Sequence, residues 1–236
     1  MKKFIEEIKI LMRNIPGLII GIFFVSVVCM NILANKTIVN LPFLAIDGGI
    51  VLGWVTFLCM DVVTIRFGPR ASTYLSMSAI LCNLFVAIIF KIIAIIPTPD
   101  DFSAFNSIIG GTWFILLGST IASIVSSITN NSLNYLIGRF FKKKSILEYM
   151  SRSYISTFVS QFIDNLTFSI IVFMFFAPIY WNGFRWTLIQ SVNCSLFGAI
   201  VELVVQVIFS PIGYKIVQKW EKDEVGKEYI EYKKHN

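Results

Sequence analysis

The chain has 236 residues, 56% hydrophobic and 14% charged, with a formal net charge of +6. Soluble domains carry about a quarter charged residues, so this composition excludes a water-soluble globule and places the chain in lipid. Only helices and closed barrels satisfy their backbone in hydrocarbon, and apolar runs that are continuous rather than alternating exclude the barrel.

Residues 1–14 come first, with Lys2, Lys3, Lys9 and Arg13 around a short apolar set. This is an amphipathic juxtamembrane stretch and not a signal peptide, because the next apolar run is too long and has no small-residue cleavage site. A spanning helix needs about 20 apolar residues. The runs that follow predict helices over about 15–38, 43–67, 71–96, 108–140, 153–180 and 185–219. Asn40 and Pro42, Gly68 and Pro69, the segment Pro97 to Asp101, and Trp181-Asn182-Gly183 supply the breaks between them. The charged tail over 220–236 is expected to fray into water. The predicted fold class is an all-α integral membrane protein: a single domain with a six-transmembrane-helix bundle.

Orientation follows from the basic residues. Seventeen of the 20 Lys and Arg fall on the side of the N-terminus, and only Lys36, Lys91 and Arg185 fall on the other. The positive-inside rule then puts both termini in the cytoplasm. The same asymmetry accounts for the net charge through anionic headgroups, so no nucleic-acid partner is called for. Trp113, Tyr180, Trp181 and Trp186 fall near the predicted outer boundary, where amphipathic aromatics are favoured.

Cys29, Cys59, Cys82 and Cys194 all lie inside apolar runs, and the one histidine, His235, is a single residue from the end. Neither a zinc site nor a Cys/His nucleophile can be assembled from these, and no cofactor or metal is expected. An intramembrane enzyme would have to use a pair of membrane aspartates, Asp61 and Asp164, and nothing in the sequence brings the two together.

The polar residues at membrane depth carry the functional reading, because an ionisable group there costs about 2.5 kcal/mol or more and normally faces a bundle interior or a cavity. Asp164 lies near the middle of the fifth helix. Gln161, Asn165 and Phe168 share its face by three- and four-residue spacing. An amide–carboxylate line beside an aromatic suits a flat hydrogen-bonding heterocycle, and it also suits glue between helices. Glu202 shares a face with Ser195, Gly198 and Gln206, where a role in proton coupling, in substrate contact or in packing is open. Asp61 sits near the cytoplasmic boundary, within reach of an interfacial pair with Arg66 or Arg70. The fourth helix carries a stripe of Ser119, Ser123, Ser126, Asn130 and Asn134, which either lines a hydrophilic path or permits close packing. Asn31, Asn35 and Lys36 form a further polar set.

The run Leu58-Cys-Met-Asp61-Val-Val-Thr-Ile-Arg-Phe-Gly68-Pro-Arg70-Ala resembles the second-helix signature of the VUT family of vitamin uptake and queuosine-precursor transporters. Ser160-Gln161-Phe-Ile-Asp164-Asn-Leu-Thr-Phe168 resembles the fifth-helix signature, and Asn31, Lys36 and Pro211 also match. Where the family carries a Gln-x-x-Asp-like pair in the fourth helix, this chain has Ser and Asn around Ser127 to Asn131. Where the family carries a lysine and a glutamate in the sixth, it has Glu202 and Gln206. The resemblance implies an importer of a 7-deazaguanine precursor of queuosine in the bacterial inner membrane. Its site would use Asp164, Gln161, Asn165, Phe168 and Glu202, with Asn130, Asn31 and Asp61. An alternative is the substrate-binding subunit of an energy-coupling-factor vitamin importer. That subunit would need partner ATPases, because the chain has no Gly-x-x-x-x-Gly-Lys motif. A homo-oligomer is equally open.

Overall fold

The computed structural model describes residues 2–98, 101–140 and 146–235. Pro99, Asp100 and the basic run Lys142–Lys144 lie outside the described residues, as do the side chains of Asp61, Ser127, Asn131, Asn134 and Gln206. Five helices are long and apolar enough to cross a membrane, and a sixth span results if one bent pair is counted together. The chain is a multi-pass membrane protein.

The bent pair is α1 (Lys2–Asn14) and α2 (Gly17–Leu33), which meet at 105°. Pro16 sets the break, since a proline disfavours helical geometry in the residue before it and removes a donor. The Ile15 N–H still closes on the Leu11 carbonyl at 3.0 Å. Helix α2 alone has 17 residues, about 25 Å at 1.5 Å rise.

The predicted first helix ran to Ile38, but α2 stops at Leu33 and a β-hairpin follows. Its strands are β1 (Thr37–Asn40) and β2 (Ala45–Asp47), paired antiparallel. Thr37, Ile38 and Val39 are β-branched and favour a strand. The turn at Pro42 is closed by Leu41 N–H to Leu44 C=O at 2.7 Å. Gly48 N–H then bonds Lys36 C=O at 2.8 Å, and a Cβ on Gly48 would lie 2.8 Å from the Leu33 carbonyl oxygen, so the closure requires glycine.

Helix α3 (Ile50–Phe67) ends at Gly68, whose φ of +92° gives the left-handed stop, and α4 (Pro69–Ile95) begins at the following proline. Along α4, Leu81, Leu84, Phe85, Ile88, Ile92 and Ile95 are all exposed, a stripe that belongs against lipid. Helix α5 (Ser103–Phe140) is 38 residues long and packs against α6 (Ile146–Ser169). Gly118 meets Val172, and Ser126 meets Asp164 eight residues further on, which fixes an antiparallel register.

After Ser169 the helix widens into a π-helical segment, Ile170–Phe176, before α7 (Ala177–Tyr180). Pro178 explains the widening. It has no N–H and its ring would clash with the carbonyl four residues back, so the bonding shifts by one. Ala177 N–H bonds the Val172 carbonyl, and the Phe173 carbonyl, which Pro178 cannot serve, accepts from Trp186 N–H at 3.3 Å. Asn182 (φ +50°) and Gly183 (φ +82°) turn the chain into α8 (Leu188–Lys222). Trp186, expected at a lipid boundary, is instead fully buried and stacked on Phe173 at 3.9 Å.

The contacts divide the chain into two compact units: residues 1–30, 51–85 and 205–236, and residues 31–50 and 86–204. In the first, the tail expected to fray folds into α9 (Lys227–His235). Tyr229 is fully buried, and its hydroxyl and that of Tyr74 both donate to Glu7 on α1, each at 3.2 Å. Glu228 takes Arg13 and the Asn14 amide, the latter at 3.0 Å, and Arg66 Nε donates to the Val225 carbonyl at 2.9 Å. Charges suggested a solvated tail, but the apolar spacing of Trp220, Tyr229 and Ile230 decides the outcome. The second unit is built around Phe114, Phe173 and Trp186, joined by Ala34 and Ala45.

Candidate functional site

The polar residues of the second unit gather where α5, α6 and α8 present their small or amide-bearing faces. Ser126 on α5 donates to Asp164 Oδ1 at 2.8 Å and also lies 3.2 Å from the Ser123 carbonyl. The next residue, Asn165, lies against α8: a Cβ on Gly198 would stand 2.6 Å from Asn165 Nδ2, so the glycine makes the notch that holds the amide. Glu202 is one turn along α8 from Gly198. Asp164 and the Asn165 amide are the neighbours of its carboxyl, the first repelling its charge and the second able to hydrogen-bond it.

Two tiers result. Ser126, Asp164, Asn165 and Gly198 form one. By the antiparallel register, Asn130, Gln161 and Glu202 fall a turn further on and form the other. Three fully buried atoms in these tiers have no hydrogen-bond partner among the described residues: Asn130 Oδ1, Asn165 Nδ2 and Glu202 Oε2. Buried polar atoms are normally paired, so these three groups, spread over the two adjacent tiers, mark a place where a ligand's polar edge can complete the bonding. The three cations of this unit whose side chains are described, Lys36, Lys91 and Arg185, are all exposed, so no ion pair with these three neutralises the two carboxyls.

Phe168 joins this layer to the aromatic cluster through an edge contact with Phe173, ring centres 5.9 Å apart. Of the other predicted residues, Asn31 is buried near the end of α2, a turn before Asn35, whose amide donates to Thr112 Oγ1 at 3.1 Å. Asp61 belongs to the other unit, and its side chain lies outside the described residues.

The sequence reading missed the anchoring of α8 to the hairpin. Gln190 caps α8 by accepting from Thr187 N–H at 2.8 Å, and its amide donates to Asn40 and to the Leu41 carbonyl. Asn193 Nδ2 donates to the Phe43 carbonyl at 2.6 Å. The Thr-x-x-Gln spacing at the helix start was the available signal.

Asp47, outside the spanning segments, is the titrating group of the hairpin. Burial raises its carboxyl to about 6, against the pull of its bond from Gly49 N–H at 2.7 Å. A raised carboxyl binds its proton more tightly in the folded protein. The associated stability is therefore complete below the ordinary value of 3.8 and is lost as pH rises through about 6. Asp47→Asn should flatten the thermal stability between pH 4 and 6, removing a change on the order of 2 kcal/mol. An unchanged pH slope in this variant would contradict the assignment.

A family model described as "Putative vitamin uptake transporter" matches residues 47–216 of the 236. The chain belongs to this family. No curated protein and no solved structure matches it. The vitamin uptake transporter match covers Asp61, Asn130, Gln161, Asp164, Asn165, Phe168 and Glu202 and leaves out α1, Asn31 and α9. The family makes the chain a membrane transport protein.

Proposed function

We propose that the protein imports a small planar heterocycle of the 7-deazaguanine type, a queuosine precursor, across the bacterial inner membrane. In this reading the bent α1–α2 pair forms the first of six spans and both termini are cytoplasmic, as the basic residues require. The observation that carries the proposal is the pair of tiers around Asp164, with buried polar atoms of Asn130, Asn165 and Glu202 available to a ligand. A guanine-like edge offers N–H donors beside a carbonyl acceptor, which complements carboxylate and amide groups, while Phe168 supplies an aromatic neighbour. Specificity follows because an analogue lacking those edge groups would leave the buried partners unpaired. In this reading the chain is a transporter and not an enzyme.

Because a ligand stabilises the state it binds, a thermal-shift screen of purines, deazapurines and vitamins on the purified protein tests the cargo. The proposal expects the largest shift with a 7-deazaguanine. A vitamin shift with none from deazapurines would overturn it.

A further inference from the structure

We infer that the groove between the α3–α4 turn and α9 binds the phosphodiester of an anionic phospholipid headgroup. The groove has a volume of about 500 Å³ and is lined by Arg66, Phe67, Gly68, Ile230, Lys233 and Lys234. Three of these six residues are cations and none is an acid. The nearby acids are engaged elsewhere: Glu228 by Arg13 and Asn14, and Glu224 by Lys227, on which Glu231 also acts. Three like charges around one groove repel one another, and a bound anion removes that repulsion.

The donors are held for this task. Arg66 Nε is tied to the Val225 carbonyl at 2.9 Å, which fixes the guanidinium, and its forked Nη groups have the geometry to bond phosphate oxygens. Lys233 Nζ stands 2.7 Å from the place a Cβ on Gly68 would occupy, so the bare turn admits the ammonium against the backbone. A lipid rather than free phosphate is indicated by depth. The turn lies where the spans Ile50–Phe67 and Pro69–Ile95 meet, at a bilayer boundary. Ile65, beside Arg66, is 57% exposed, and Ile230 lines the groove, so acyl chains find apolar surface next to the phosphate site.

The test uses the full chain in nanodiscs of phosphatidylcholine alone or with phosphatidylglycerol, read by native mass spectrometry and thermal unfolding. Phosphatidylglycerol should be retained and should raise the unfolding temperature. The exposed-site double variant Lys233→Gln/Lys234→Gln should bind it roughly 30-fold more weakly, whereas Lys233→Arg/Lys234→Arg keeps it. Equal retention by the glutamine variant would overturn the inference. So would an equal temperature rise from millimolar inorganic phosphate in phosphatidylcholine alone, which would assign the groove to free phosphate.

Discussion

Asp164→Ala should reduce uptake at least 30-fold or so while leaving the protein folded and inserted. The two halves of this expectation have separate causes. A carboxylate that hydrogen-bonds a bound base contributes about 2–3 kcal/mol, and its loss leaves the ligand's N–H without an acceptor in a dry site. The fold loses little, because the Ser126 hydroxyl that donates to Asp164 also lies 3.2 Å from the Ser123 carbonyl and turns to it. Removing an acid that has no cationic partner among the described residues also removes a desolvation penalty, so the stability change should stay within about 1 kcal/mol. Uptake measured per inserted molecule, alongside the thermal midpoint, separates the two. A variant that unfolds would show Asp164 to be structural glue, and a folded one that transports normally would show that its carboxyl does not bind the cargo.

The second large effect is expected in the first compact unit. Gly226 has φ +78°, and a Cβ there would collide with the ring of Phe67. That ring in turn packs edge-on against Trp220 and at a tilt against Tyr229. Gly226→Val combines backbone strain with overpacking and should cost about 3–5 kcal/mol in this part of the structure. Detachment of α9 would expose the tail to protease. Gly183 is the control, since its φ is +82° but nothing lies within 4 Å of an added Cβ. Gly183→Ala should therefore cost only the strain, about 1–2 kcal/mol, with the tail still protected. Equal protection of the tail in both variants would mean that α9 is not held by the Phe67 contact.

The comparison of these two glycines shows what sequence reasoning reaches. Apolar run length located the spans, and Gly68-Pro69 and Asn182-Gly183 marked turns that the structure places there, because a left-handed glycine and a proline each act locally. The hairpin after Leu33 was hidden, since Thr37–Val39 prolongs an apolar run that in lipid reads as helix. The kink at Pro16 and the π-helical segment before Pro178 were legible only as prolines, without the partner carbonyls that determine their geometry. Asp164, Asn165 and Glu202 stood out by the cost of placing them at membrane depth. Their assembly with Ser126 and Gly198 depends on the register between helices, which no local pattern encodes. The tail was misjudged because its charges outnumber the few apolar residues that dock it.

The most direct measurement is uptake of a radiolabelled 7-deazaguanine by the purified chain alone, reconstituted into liposomes. Saturable accumulation that disappears with Asp164→Ala is the predicted result. Uptake only when ATPase partner subunits are added would instead make the chain a binding subunit of a larger importer. No uptake of the deazaguanine under either condition would contradict the account.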